Sequence, residues 1–398
     1  MLEKLDSIRW KKLSHFRCNA SNIPKAIRNL TSKERSVRLD AIWTLSEDLH
    51  HQGTVCETTA LAVPFLIELL QEPEVEDKLN IVAFLSSITF ESLFDYAHPA
   101  AVFFQSYSDE YVESIWWESA CASHLVRSEV QKGSSVYQQL LLAQEQPFLR
   151  GAAAYLLGIL TDCDDQNINW LRSQFATEQD EGVGAAIVLS VGLLSDDRPE
   201  NTAWLQKIFD TETSLFLRIN AAIGLARSIP QRVPEPVIDL LVDSIGNPSE
   251  VASMFDRYPW QFDSLLESEI MQYWCSIALN RVGRRSLRSL PTLINALAKV
   301  SHEVSYEIAR YILNIIFDSE AMPDTLTVEQ LSDEQRLGLE AIANSKQLWL
   351  GYSENYILYY VASMLQDFGL PTRPEKLQAF LAGELTLENC NGLDDIPF

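Results

Sequence analysis

Apolar residues recur along this chain at the spacing of one helix face, and one short pattern returns many times. Residues 37–46 read VRLDAIWTLS, 149–158 read LRGAAAYLLG and 217–226 read LRINAAIGLA. With the Arg as position zero (Arg38, Arg150, Arg218), a small residue stands at +3 (Ala41, Ala153, Ala221). Leu stands at +7 (Leu45, Leu157, Leu225), and a small residue at +8 (Ser46, Gly158, Ala226). Positions 0, +3 and +7 share one face of an α-helix. The small residue at +3 admits a neighbouring helix, and the Leu at +7 fills the space beyond it.

Weaker copies start at Lys78, Glu118, Gly182, Gln272 and Tyr306, so successive anchors lie 40, 40, 32, 32, 36, 54 and 34 residues apart. One helix of such a unit covers roughly 15 residues, so these intervals hold two helices and two turns. The 54-residue interval predicts an insertion near 245–266. The partner helix of each unit is visible too. Thr54-Val55-Cys56-Glu57 has capping-box spacing, and the helix it opens continues to Leu70 with Pro64 inside it, where a kink is expected. Pro291 opens a similar helix in SLPTLINALAKV, where its fixed φ is favourable. Period-2 alternation is rare throughout. A last, degenerate unit is expected over 346–382, where NYILYYVASML has a helical pattern.

The R-x-x-A-x-x-x-L positions and the Pro of VPFLIELL resemble HEAT repeats of the short kind found in phycobilisome lyases and many bacterial proteins. The likeness covers roughly 35–340. The opening is similar to that of a group of uncharacterised bacterial HEAT-repeat proteins through Trp10, Leu13, His15, Pro24, Ile27, Leu30, His51-Gln52-Gly53-Thr54 and Val63-Pro64-Phe65-Leu66. The resemblance implies a bacterial origin and an all-α, HEAT-like alpha solenoid, a right-handed superhelix of about nine helix pairs. Residues 1–398 then form one continuous domain: a basic cap and first repeat over 1–53, central repeats over 54–345, and a C-terminal cap with an acidic tail over 346–398. Repeats of this kind bury their apolar faces only against neighbours. The helices carrying R-x-x-A would line the inner surface, the default binding site of that architecture.

Charge narrows the partners. The 398 residues carry 31 Lys and Arg against 55 Asp and Glu, a net −24. That disfavours nucleic acid as the main ligand, since such binding rests on neutralising phosphates, and it disfavours an anionic membrane. It also disfavours the alkylated-DNA binding known for some HEAT-like repeats. The charge is uneven: residues 1–38 carry +7 and the remainder −31. No run of apolar residues has transmembrane length, and the charged N-terminus does not read as a signal peptide, so a cytoplasmic protein is expected. The cysteines Cys18, Cys56, Cys121, Cys163, Cys275 and Cys390 are scattered. They read as free thiols, most of them within apolar helical patterns.

Catalytic motifs are not found. The iron-binding His-Glu pairs of deoxyhypusine hydroxylase, an enzyme of HEAT architecture, have one counterpart here, His302-Glu303. His50-His51 fit a helix C-terminus. Asp162, Asp164 and Asp165 begin like a calcium loop, but the Gly and Glu of the EF-hand pattern are replaced by Asn167 and Ser173. These acids, like Asp196-Asp197, read as helix-start residues. No metal or cofactor is expected. Two features remain as binding candidates. Arg281, Arg284, Arg285 and Arg288 are spaced for one helix face or its end, suited to a carboxylate, a phosphate or an acidic segment. Tyr258 and Trp260 in the insertion, with Trp117, are aromatic anchors. The function expected is a non-enzymatic interaction scaffold, or a regulator or immunity-type binder, gripping a basic protein on an acidic concave surface. The alternative, implied by the lyase resemblance, is an accessory that handles a bilin, with the aromatics and arginines holding ring and propionates.

Overall fold

The repeated Arg is a helix-end tie, and it shows how one unit joins the next. Arg150 donates from Nε to the carbonyl of Leu141 at 2.9 Å, and Arg218 donates in the same way to Phe209 at 3.1 Å. Arg38 donates from Nη1 to Ser32 at 2.8 Å. In each case a cation on the first turn of one helix satisfies a carbonyl behind it, at or beyond the end of the preceding helix, where carbonyls lack intrahelical donors. The guanidinium of Arg218 also lies over the Phe209 ring, 5.3 Å from its centroid.

The computed structural model describes residues 2–13, 20–51, 54–94, 122–143, 146–160, 165–195, 197–247, 270–283, 287–317, 327–349 and 357–387. The chain divides into two compact units, Met1–Leu194 with Arg257–Phe262, and Ser195–Asp256 with Asp263–Phe398. Both are built of helices.

The first unit contains α1 (Ile23–Asn29), α2 (Arg35–Leu49), α3 (Glu57–Gln71), α4 (Lys78–Phe94), α5 (122–131), α6 (Ser134–Leu141), α7 (Pro147–Ile159), α8 (Asp165–Phe175) and α9 (Glu181–Leu194). A ladder of two residues a side, β1 (His50–His51) and β2 (Thr54–Val55), pairs His50 with Val55 antiparallel. The helices that carry the repeat touch in series, α2 on α4, α4 on α7 and α7 on α9, and α6 and α8 pack against α7 and α9. The second unit has the same plan. Its helices are α10 (Pro199–Thr211), α11 (Leu215–Ser228), α12 (Glu235–Gly246), α13 (Ile270–Val282), α14 (Leu290–Leu297), α15 (His302–Phe317), α16 (Asp333–Ala343), α17 (Lys346–Trp349), α18 (Ile357–Asp367) and α19 (Pro374–Leu381). Here α11, α13 and α15 touch in series, with α10, α12 and α14 as their partners.

The template positions are the core. At +3, Ala41, Ile81, Ala153, Ala185, Ala221, Cys275 and Ala309 are all buried, and so at +7 are Leu45, Leu85, Leu157, Leu189, Leu225, Leu279 and Leu313. The copy at 118 breaks the rule. Leu125, its expected core residue, is 46% exposed, while Ala122, Val126 and Val130 are buried. An apolar stripe at i, i+4 and i+8 fixes that helix in a register one residue away from the template.

One local expectation shifts, the start of the helix after the ladder. The helix after the ladder begins at Glu57, not at Thr54: Cys56 is its N-cap, and its N–H donates to Thr59 Oγ1 at 3.2 Å, so Thr59 takes the reciprocal role expected of Glu57. Pro64 is carried inside one continuous helix to Gln71. Pro291 opens α14 as expected, and the run around 357–367 forms α18. His50 closes α2 as its C-cap, and Asp165 opens α8. The insertion near 245–266 and the acidic tail fall outside the described residues, save for the end of α12.

Two predictions test this core. Burial pushes the Cys275 thiol up to about 12, so too little thiolate is present to react at pH 8. Alkylation of Cys275, read by mass spectrometry, is expected only under denaturing conditions. Gln272 occupies position zero of its copy, where Arg stands in the strong ones. It is fully buried, and neither amide atom has a partner among the described residues. Gln272→Met keeps the volume and removes the unmet polar atoms, so it should stabilise by about 1–2 kcal/mol, read as a higher urea midpoint.

Candidate functional site

The second unit carries a hydrogen-bonded row of polar side chains across α13 and α15, on positions that elsewhere hold mostly small or apolar residues. At +8 the earlier copies have Ser46, Ser86, Val126, Gly158, Ser190 and Ala226, whereas α13 and α15 have Asn280 and Asn314. Asn314 donates to Asn280 Oδ1 at 3.4 Å. Asn280 in turn donates to the carbonyl of Glu307 at 3.2 Å and to its Oε2 at 2.7 Å. The Asn280 amide reaches a side chain as well as the main chain of the next repeat helix, whereas the hydroxyl of Ser190, at +8 of its own copy, reaches across only to the main chain at Ala154.

Glu307 is half-buried, and burial raises its carboxyl above the usual range, against the pull of Arg310 and of the Asn280 amide. At the end of α18, Asp367 is also raised by partial burial, again against Arg310, although it reaches water. Two carboxylates on different helices thus share the field of one guanidinium, so the cluster stays net negative while part of its hydration is lost. Such a site favours an arriving cation, which restores the lost stabilisation of both acids. Among the described residues no group of three or more His, Cys, Asp or Glu is placed to hold a metal ion.

The arginine candidates separate. Arg281 is exposed on the last turn of α13, which stops at Val282; Gly283 follows with φ +66°, a left-handed conformation that suits Gly. Arg288 lies beyond, on a short turn before α14, where Nη2 meets Asp239 Oδ1 at 2.5 Å and Glu235 Oε2 at 3.3 Å. It therefore ties α12 to the start of α14. Arg284, Arg285, Tyr258, Trp260 and Trp117 lie outside the described residues.

The first unit has an open groove of about 430 Å³ over α3, lined by Lys4, Ile8, Leu61, Pro64, Phe65 and Leu125 among others. Pro64 has no N–H for the carbonyl of Ala60, one turn back and also in the lining. A smaller groove of about 280 Å³ lies between α10 and the end of α11 in the second unit, edged by Asp197 and Arg232, which pair at 3.5 Å.

No protein-family model matches the chain, and no curated protein matches it either. No helix among the described residues is long and apolar enough to cross a membrane.

The Asn280–Glu307 link, and the Arg310 that Glu307 shares with Asp367, were missed in the sequence. The change from small residue to Asn at +8, confined to the copies at 272 and 306, was the available signal. Glu307 itself is one of 55 acids and carries no periodic mark.

The pH dependence of stability follows from the raised carboxyl. A group that binds its proton more tightly in the folded state contributes stability in full below its unfolded pKa. That contribution is lost as pH rises through the folded value. Glu307→Gln lacks this loss and keeps an acceptor for Asn280. The variant should melt with the wild type at pH 4 and above it at pH 7, read by circular dichroism.

Proposed function

We propose that this chain is a non-enzymatic protein-interaction scaffold of HEAT-like helix pairs, a regulator or immunity-type binder, that takes a basic partner on an acidic face. The observation that carries this is the pair of partly desolvated carboxylates, Glu307 and Asp367, around Arg310 in a chain of net charge −24. A partner's Lys or Arg replaces the water those acids have lost. Long-range attraction to the acidic body speeds the encounter, and salt weakens it.

The test is capture with a tagged chain from its host at low salt, beside the variant Glu307→Gln/Asp367→Asn. One stoichiometric basic protein, released by high salt and at least tenfold depleted on the variant, is the expected result. Retention that ignores both salt and the two substitutions would overturn the reading. Because Glu307→Gln is expected to stabilise the fold, loss of the partner would not reflect unfolding.

A further inference from the structure

Two irregularities meet at the groove over α3. In the copy at 118 the Leu of the template, Leu125, is turned out of the core, 46% exposed, and lines the groove instead. On α3, Pro64 has no N–H to give the carbonyl of Ala60, which leaves a main-chain acceptor for a donor in the groove. Ile8, Leu61 and Phe65 complete the apolar lining, and Phe65 packs on Trp10 with ring centroids 6.4 Å apart. The groove also carries two opposite charges that do not meet. Glu57 stands one turn before Ala60 and Leu61 on the same face of α3, and Lys4 comes from the first turn of the chain. Both are exposed, both line the groove, and neither makes an ion pair among the described residues. Glu129, also in the lining, is answered by Lys132 at 2.5 Å. At about 430 Å³ the groove has the size of a small-molecule site, apolar with a few polar groups.

We infer that this groove binds a free amino acid with a large apolar side chain, of the leucine or phenylalanine kind. The ligand's ammonium group goes to Glu57 and the Ala60 carbonyl, its carboxylate to Lys4, and its side chain to Leu61, Phe65 and Leu125. The charges select this class. A simple amine leaves Lys4 unanswered, and an organic anion faces Glu57 and Glu129. An uncharged apolar molecule answers neither charge and gives the Ala60 carbonyl no donor. A zwitterion with an apolar branch meets all three requirements. Exposed charges add little affinity each, so burial of the apolar branch supplies most of the binding and the charges supply the selection. Every residue named belongs to the first unit, and the inference does not rest on Glu307 or Asp367 in the second.

Titration of the full-length protein with L-phenylalanine and L-leucine, followed by ligand-observed NMR, tests this. N-acetyl-L-phenylalanine lacks the ammonium charge and L-phenylalaninamide lacks the carboxylate, and each should bind several-fold more weakly than L-phenylalanine. Glu57→Gln should weaken L-phenylalanine several-fold and remove its advantage over the acetyl form. Lys4→Gln should do the same with respect to the amide, and Leu125→Ala should weaken all of these ligands. The three side chains are exposed, so the variants should keep the wild-type melting curve, and a loss of binding then reports on the groove. Absence of saturable binding of either amino acid up to its solubility limit would overturn the inference. So would preferences that survive Glu57→Gln and Lys4→Gln, or tighter binding of the amide than of the free amino acid, which would mark the groove as a site for simple amines.

Discussion

Gly158→Ala is expected to lower stability by about 3 kcal/mol, although alanine is the better helix former by about 1 kcal/mol. A Cβ at Gly158 would lie 2.5 Å from both Cα and Cβ of Ser190 on α9. The obstacle is the main chain of a packed helix, which no rotamer change removes, so the cost sits at or above the top of the roughly 1–3 kcal/mol seen for overpacked cores. The clash also disturbs the Ser190 hydroxyl, which donates within 2.8 Å of Ala154 O and within 2.6 Å of Ala186 O. Losing its reach to α7 adds about 1 kcal/mol. Gly338→Ala is the control. There the nearest atom is Cδ1 of Ile316, at 2.8 Å, the end of a side chain that can turn aside. That variant should stay within about 1 kcal/mol of wild type. Urea denaturation of both variants separates a backbone contact from simple crowding; equal losses would show that the close approach of α7 and α9 is not what Gly158 provides.

The same contact shows what was legible in the sequence. A small residue at +8 announced that something comes near, and the buried +3 and +7 positions were read correctly in every strong copy. These are properties of one helix face, and a periodic pattern carries them. Register failed where the local pattern and the template competed. At 118–126 the template put Leu125 inside, but Ala122, Val126 and Val130 make the better stripe and turn Leu125 outward. The cap at Cys56 differed for a similar reason: His50 and Val55 pair across a short ladder, which keeps Thr54 and Val55 extended and delays the helix. The Glu307 cluster was hidden because it depends on which helices become neighbours. The 49% exposure of Trp43 was equally invisible, since its position, +5, is apolar in every copy but the one at 118, and only an adjoining helix distinguishes inside from outside.

Arg150→Ala should cost about 3 kcal/mol, more than the same change at Arg38 or Arg218. The three arginines hold one template position, so the size of the effect depends on what each leaves behind. Arg150 bonds Glu178 of the next unit, whose side chain is only 7% exposed. Removing the cation strands a carboxylate that water cannot fully reach, a loss of about 3–5 kcal/mol for buried pairs. The lower end applies because Glu178 Oε1 still accepts the N–H groups of Gln179 at 2.9 Å and Asp180 at 2.8 Å. Arg38 is itself 6% exposed, but its partners Asp77 and Glu76 are open enough to rehydrate, at 27% and 49%. Its loss should therefore be smaller, about 2 kcal/mol. Arg218→Ala gives up a bond to Phe209 O and the contact with its ring, about 1–2 kcal/mol together. The double variant Arg150→Met/Glu178→Gln removes both charges and should recover most of the loss, because the penalty lies in the unpaired acid and not in the missing bridge. A double-mutant cycle in urea measures this directly. If Arg150→Ala and the double variant fall equally, Arg150 acts only by closing the carbonyl of Leu141, and the link from one helix pair to the next is carried by apolar contact alone.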